Sequence, residues 1–250
     1  MKRLIILCMA VVTAFPLWAA TGLSDMKWNV LLGFNVGGTA PLSMPAQVRK
    51  LNSFTPAANP KVGVGACIPL QGNWGITTGL FFENKGLKAG ITAKGYHMAL
   101  VMDESEIEGD FTGRVDINVK EWMFTVPVMA AYQVSPKLTL KAGPYVSLLT
   151  ARGFDGDAFS GYLRQDNPTG PKVEMADKNG KHGVFEFDEN MRKLQCGVGV
   201  GADWAVAGRL GLCFDFTWGL SPVFKKDFTT IKETLYPLYG TIGLTYQINK

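Results

Sequence analysis

The sequence predicts an all-β fold: an eight-stranded, antiparallel, up-and-down transmembrane β-barrel behind an N-terminal signal peptide. Three observations predict it. Eight segments alternate in hydrophobicity, short and long joints alternate between them, and the tryptophans fall near the segment ends.

Taken in chain order, the N-terminus comes first. Lys2 and Arg3 precede the apolar run Leu4–Leu17, and Trp18-Ala19-Ala20 follows. A charged start, a greasy middle and small residues at the end make a secretory signal, read here as residues 1–20, with residues 21–250 as one barrel domain. No later apolar stretch is long enough for a membrane helix, so any spanning falls to strands.

The eight segments are Lys27–Gly37, Lys61–Ile68, Asn73–Asn84, Val115–Tyr132, Lys137–Ala151, Leu194–Ala205, Arg209–Gly219 and Leu238–Ile248. The joints at Pro69–Gly72, Val134–Pro136 and Val206–Gly208 are tight, whereas those near 38–60, 85–114, 152–193 and 220–237 are long. Short turns at one rim and long loops at the other are the asymmetry of bacterial membrane barrels. In the sixth segment Leu194, Cys196, Val198, Val200, Ala202 and Trp204 share one face, against Gln195, Gly197, Gly199, Gly201 and Asp203 on the other, because strand side chains alternate with period two. In the fourth, Trp122, Phe124, Val126, Val128, Ala130 and Tyr132 form the apolar face, but Val115, Ile117 and Val119 upstream take the opposite parity. Either a bulge near Lys120–Glu121 restores the phase, or that end projects beyond the lipid.

The aromatic residues separate a membrane barrel from a soluble one. Trp28, Trp74, Tyr132, Trp204 and Tyr246 gather at the short-turn rim, and Phe82, Trp122 and Trp218 at the long-loop rim, as two girdles at headgroup level. Glycine on the polar face suits a crowded interior better than a solvated surface. An eight-stranded barrel is just wide enough inside for side chains to fill. Lys61, Glu83, Glu121, Lys141, Asp203 and Asp215 point inward, so the expectation is a lumen plugged by a carboxylate–lysine network; if Glu83, Glu121 and Asp203 lie at the rims instead, they meet water. An aqueous pore would need roughly 16–18 strands, which argues against a diffusion porin.

Composition narrows the partners. The formal charge is +4, and loss of Lys2 and Arg3 with the signal lowers it further, so nucleic acid is not an expected partner. Outer-membrane lipid is, together with outer-membrane or secretion-machinery proteins or a surface ligand at the long loops. Cys67, Cys196 and Cys213 remain after the signal, an odd number read as free thiols.

The stretches Glu121-Trp-Met-Phe-Thr-Val-Pro-Val-Met-Ala-Ala-Tyr132, Gly143-Pro-Tyr-Val-Ser-Leu-Leu149, Cys196-Gly-Val-Gly-Val-Gly-Ala202 and Phe214-Asp-Phe-Thr-Trp-Gly-Leu220 resemble strands of PorT-like outer-membrane β-barrel proteins of the porin family. The resemblance extends over nearly the whole chain after the signal. The resemblance implies a place in the bacterial outer membrane and a role in secretion or surface assembly, and it carries no site residue with it. Thr241, Gly243, Tyr246 and Ile248 in the last segment also fit the pattern of a recognition signal for barrel assembly, a pattern that any last strand with one greasy face would share.

Catalytic chemistry is thin. A barrel enzyme acting on lipid or peptide needs a base beside a nucleophile or water. The histidines are His97 and His182, both in long joints, and Ser160 with Asp155 or Asp157 shares the segment of His182. Asp155-Gly-Asp157 and Asp177-Lys-Asn-Gly180 hint at calcium, but His182 stands where an EF-hand loop requires glycine. The Gly197–Gly201 run lies inside a strand with no helix start to hold a phosphate. No catalytic residue, metal or cofactor is expected.

Overall fold

The computed structural model describes residues 26–41, 45–165, 167–228, 230, 231 and 233–249. The segment read as a signal peptide lies outside the described residues. Twelve strands form one antiparallel sheet: β1 (Lys27–Pro41), β2 (Val48–Pro56), β3 (Pro60–Pro69), β4 (Trp74–Asn84), β5 (Leu87–Met102), β6 (Ser105–Ser135), β7 (Leu138–Gln165), β8 (Lys172–Met175), β9 (Gly183–Glu186), β10 (Leu194–Ala207), β11 (Leu210–Gly219) and β12 (Leu235–Gln247). The expected count of eight is therefore corrected. The four additional strands lie inside segments read as long loops, and β6 and β7 run well past their expected ends. Among the described residues no helix is long and apolar enough to cross a membrane.

Eight strands pair in a closed path. β1 pairs with β3, β3 with β4, β4 with β6, β6 with β7, β7 with β10, β10 with β11, β11 with β12, and β12 with β1. The three tight joints bend at the same rim. Gly72 and Gly208 take left-handed backbone there (φ 66° and 56°), a conformation that costs glycine nothing.

The ring formed by these eight strands is inside out. Leu32, Val64, Leu80, Phe124, Leu148, Val200, Phe216, Ile242 and Leu244 are exposed, whereas Asn35, Lys61, Glu83, Glu121, Thr125, Ser147, Gln195, Thr217 and Thr241 are buried. A soluble monomer seldom exposes contiguous apolar surface beyond a few hundred Å². A belt of this kind is stable only against an apolar medium.

Above the ring the pattern reverts. β5 takes the place of β4 along β6, pairing from Leu87↔Val119 to Met102↔Ser105. Asp103 and Glu104 turn this hairpin with φ of 49° and 63°, the two-residue geometry whose twist matches the strands. β9 takes the place of β10 along β7, and a single pairing, Val101↔Val184, joins β5 to β9. The cap made by these strands encloses Leu100, Phe111, Val115, Val119, Phe154, Ala158, Leu163 and Phe185, all buried, and turns Lys88, Lys94, Arg114 and Lys120 outward.

The bulge expected near Lys120–Glu121 lies on the partner strand instead. Trp122 pairs with Ala151 and Met123 with Leu149, which leaves Thr150 as the extra residue of β7. β6 needs no bulge there. Its buried side runs through Phe111, Val115, Val119, Glu121, Met123 and Thr125 at constant parity and simply changes chemistry. The second sequence reading, an end that projects beyond the apolar belt, describes this strand.

Candidate functional site

Three regions could carry function: the ring interior, its aromatic rims and the cap. The interior holds a chain of charges. Lys61 (β3) stands opposite Glu83 (β4) in register, with Nζ 3.6 Å from Oε2, and also lies 3.9 Å from Asp215 Oδ2 on β11. Lys141 (β7) reaches Asp215 Oδ1 at 3.0 Å and Asp203 Oδ1 (β10) at 2.8 Å. Five of the six inward residues singled out in the sequence thus meet across the ring. Glu83 is fully buried, whereas Asp203 stays about one-third exposed near the short-turn rim.

The sixth, Glu121, is fully buried but touches none of these lysines. It accepts a hydrogen bond from Gln195 Nε2 at 2.9 Å, and its other oxygen has no partner among the described residues. Sequence reading also missed a lysine. Lys85, assigned to a loop, folds into the ring with Nζ 3.3 Å from Glu83 Oε1 and over the rings of Tyr145 and Tyr239. Its parity matches Glu83, so extending the strand pattern by one residue would have found it. Neutral groups complete the network. Asn35 Nδ2 and Thr125 Oγ1 donate to Glu83 at 3.0 and 2.6 Å, Ser147 lies 2.7 Å from Thr125, and Thr241 donates to Asn35 Oδ1. With these bonds the buried charges regain part of the solvation that burial removes.

The glycine-rich face of β10 makes room for this arrangement. A Cβ on Gly201 would collide with Asp215 Oδ1 and come within 2.8 Å of Lys141 Cε, and one on Gly197 would lie 2.6 Å from the Tyr145 hydroxyl. The space that remains beside Lys61, Glu83, Lys141 and Asp215 is about 50 Å³. That is room for one or two water molecules.

The aromatic residues fall in two tiers of the register. Trp74 pairs with Tyr132, their rings 4.9 Å apart, while Tyr246 pairs with Leu210 and Val30 at the same rim as Trp28 and Trp204. At the other rim Phe82 stacks on Trp122 at 5.2 Å, and Trp218 pairs with Leu238. Trp28, Trp74, Tyr132, Trp204, Trp218 and Tyr246 are all exposed, and Trp122 is half-buried.

The cap accounts for the remaining candidates. His97 lies between Glu108 (3.0 Å) and Asp110 (3.3 Å) on the β5–β6 hairpin. His182 is 3.6 Å from Asp157, but Lys178 is closer to the same carboxylate at 2.9 Å. Ser160 has a left-handed backbone (φ 50°) at the β7 irregularity opposite Gly113, and among the described residues no hydrogen bond joins it to His182. Asp155 is taken by Asn118 through bonds of 3.0 and 3.1 Å. Asp203, Cys213 and Asp215 lie close enough together to ligate a metal, but the Lys141 ammonium already stands between the two carboxylates. The three cysteines are free thiols. Tyr96 donates to Glu233 at 2.6 Å, and burial together with that carboxylate raises its pKa well above the ordinary phenol value.

Among solved structures, Ail, the attachment invasion locus protein of Yersinia pestis, is similar over 89% of this chain and 99% of its own in a complex with the heparin analogue sucrose octasulfate, at 8% identity and a TM-score of 0.40. The translocator domain of the autotransporter NalP from Neisseria meningitidis is similar over 95% of this chain and 92% of its own, at 13% identity and a TM-score of 0.26. Similarities this distant carry no functional argument. No curated protein matches the chain in sequence. A family model described as outer membrane protein beta-barrel domain matches residues 19–225, most of the chain. The chain belongs to this family of bacterial outer-membrane β-barrels.

Proposed function

We propose that the protein is an eight-stranded barrel spanning the outer membrane with a closed lumen, and that its role is non-enzymatic: it holds the β5–β9 cap outside the cell as a platform for binding or for assembly. The observation that carries this reading is the reversal of polarity between ring and cap. Only a membrane boundary near Trp122 makes both halves favourable at once. The 11 residues of β4 suit the roughly 9–11 that a tilted strand needs to cross the hydrocarbon. The tight turns face the periplasm and the cap faces out, the usual asymmetry of such barrels.

The lumen supports a closed barrel. Side chains from opposite walls meet in it, and Phe154, Phe185, Phe187, Phe224 and Phe228 pack above its mouth with ring centroids 4.7–6.4 Å apart. The PorT-like resemblance of the four strand segments favours secretion or surface assembly as the process served. In planar lipid bilayers the purified protein should give no large, steady conductance, and open pores would overturn the closed lumen. An enzymatic role would rest on His182, so loss of a lipid- or peptide-hydrolysing activity in His182→Ala would replace this reading.

A further inference from the structure

One groove is lined chiefly by cations, with Lys193, Leu194 and Lys225 exposed and Arg152, the register partner of Glu121, half-buried. It has a volume of about 470 Å³ and is lined by Arg152, Glu189, Arg192, Lys193, Leu194 and Lys225. Four cations thus share one small site with a single acid. Among the described residues none of the four groove cations has a carboxylate partner, which is equally true of the outward cap cations Lys88, Lys94, Arg114 and Lys120; the groove differs in gathering four of them at one site.

Their positions are fixed by neutral groups. Arg152 Nη1 donates to Met191 O at 2.7 Å, Arg192 Nε donates to Phe224 O at 2.8 Å, and the Met191↔Phe224 bridge with the Lys225 N–H to Asn190 O bond (2.9 Å) ties the two segments together. These carbonyls hold the guanidinium groups without cancelling their charge, and they leave other N–H donors of each fork free. Like charges that line one groove repel one another, and an anion between them relieves that repulsion.

Height selects the anion. Arg152 follows Ala151, the register partner of Trp122, so the cations stand just above the outer aromatic tier. Leu194, exposed at the start of β10, forms the lower lip within the apolar belt. An occupant must therefore be anionic above and greasy below. We infer that this groove binds the phosphate group of an outer-leaflet lipid headgroup, with the arginines and lysines on the phosphate oxygens and Leu194 against an acyl chain. Guanidinium forks suit phosphate because their parallel donors match its oxygens. The inference rests on the membrane orientation proposed above.

The test uses the full mature protein, refolded in detergent micelles and titrated with bisphosphorylated lipid A, dephosphorylated lipid A and inorganic phosphate. Lys193 and Lys225 are exposed and make no side-chain hydrogen bond among the described residues, so K193Q and K225Q should leave folding intact. Each should weaken bisphosphorylated lipid binding about fivefold, as expected for loss of one interfacial cation, and K193R/K225R should restore it. Dephosphorylated lipid should bind weakly and equally to all variants. Equal binding of the phosphorylated lipid by wild type and K193Q/K225Q would overturn the assignment, as would displacement of that lipid by millimolar inorganic phosphate, which would mark a free-anion site. Heat-modifiable migration of the folded barrel separates these failures from failure of the barrel reading itself.

Discussion

β6 passes through two regions that obey opposite rules. From Glu121 downward its buried side carries Glu121, Met123 and Thr125, and its exposed side carries Phe124 and Val126. Above Trp122 the buried side carries Val119, Val115 and Phe111, and the exposed side carries Lys120 and Arg114. One strand with one unbroken parity thus serves as the wall of a ring with an apolar exterior and as the wall of a cap with a charged exterior. Strand geometry fixes only that alternate side chains face opposite ways. The surrounding medium decides which chemistry each side must have. The two halves also hold together by different means. In the ring, ion pairs and hydrogen bonds fill the interior and apolar side chains are left to the lipid. In the cap, stacked phenylalanines fill the interior and charges are left to water.

The largest effects should come from the two interiors. Lys141→Met removes the cation shared by Asp203 and Asp215 and leaves Asp215 with Lys61 alone at 3.9 Å, while Asp203 turns to water; the loss should fall at the lower end of the about 3–5 kcal/mol for breaking a buried pair. Unfolding from lipid vesicles in urea would measure it, and Lys141→Met/Asp215→Asn should recover part of the loss. Phe154→Ala opens a void among Phe185, Phe187 and Phe224 at a similar cost of about 3–5 kcal/mol. This change should expose only the cap: limited proteolysis should cut within β8 and β9 while the ring strands stay protected. If both substitutions unfold the whole chain together, the two regions are one cooperative unit.

The exposed faces give the next contrast. Val126→Lys sets a charge on the apolar belt and should destabilise the protein by about 2–4 kcal/mol. Glu106→Lys, exposed at the same parity on the cap, should stay within about 0.5 kcal/mol. Equal effects in vesicles would erase the boundary between the regions. The last of the destabilising changes concerns the link between the cap and the β11–β12 connection. Tyr96→Phe should cost about 1.5–3 kcal/mol by removing the hydrogen bond to Glu233. Because the folded-state pKa of Tyr96 is raised, the folded form retains a proton that the unfolded form loses above about pH 10. Stability should therefore hold below that pH and fall as pH rises above it, and Tyr96→Phe should flatten the alkaline limb of the denaturation profile.

Much of the ring was legible in the sequence. Leu194–Trp204 and Trp122–Tyr132 alternate without interruption, and each has a girdle aromatic at one end or both. The inward set Lys61, Glu83, Lys141, Asp203 and Asp215 follows from that parity alone. The cap was not legible in the same way. Residues 85–114 and 152–193 mix charge with apolar residues, and they read as loops because their apolar positions fell out of phase with the membrane pattern. They were in phase with a different interior. Lys85 was missed because its segment was assigned to a loop where the strand merely changes partner, from β4 to β5 along β6.

By itself the sequence determined the period of two, the division of faces into greasy and glycine-rich, the tight turns at one rim and the aromatic residues near the strand ends. These are local properties, set by side-chain alternation and turn chemistry, and they are present before any strand finds its neighbour. The tertiary structure alone decided where the polarity reverses, which charges meet across the ring, and that the longest connection folds into strands over its mouth. Those outcomes depend on which strands lie side by side and on what surrounds each face, and a period-two pattern is the same whichever face meets water.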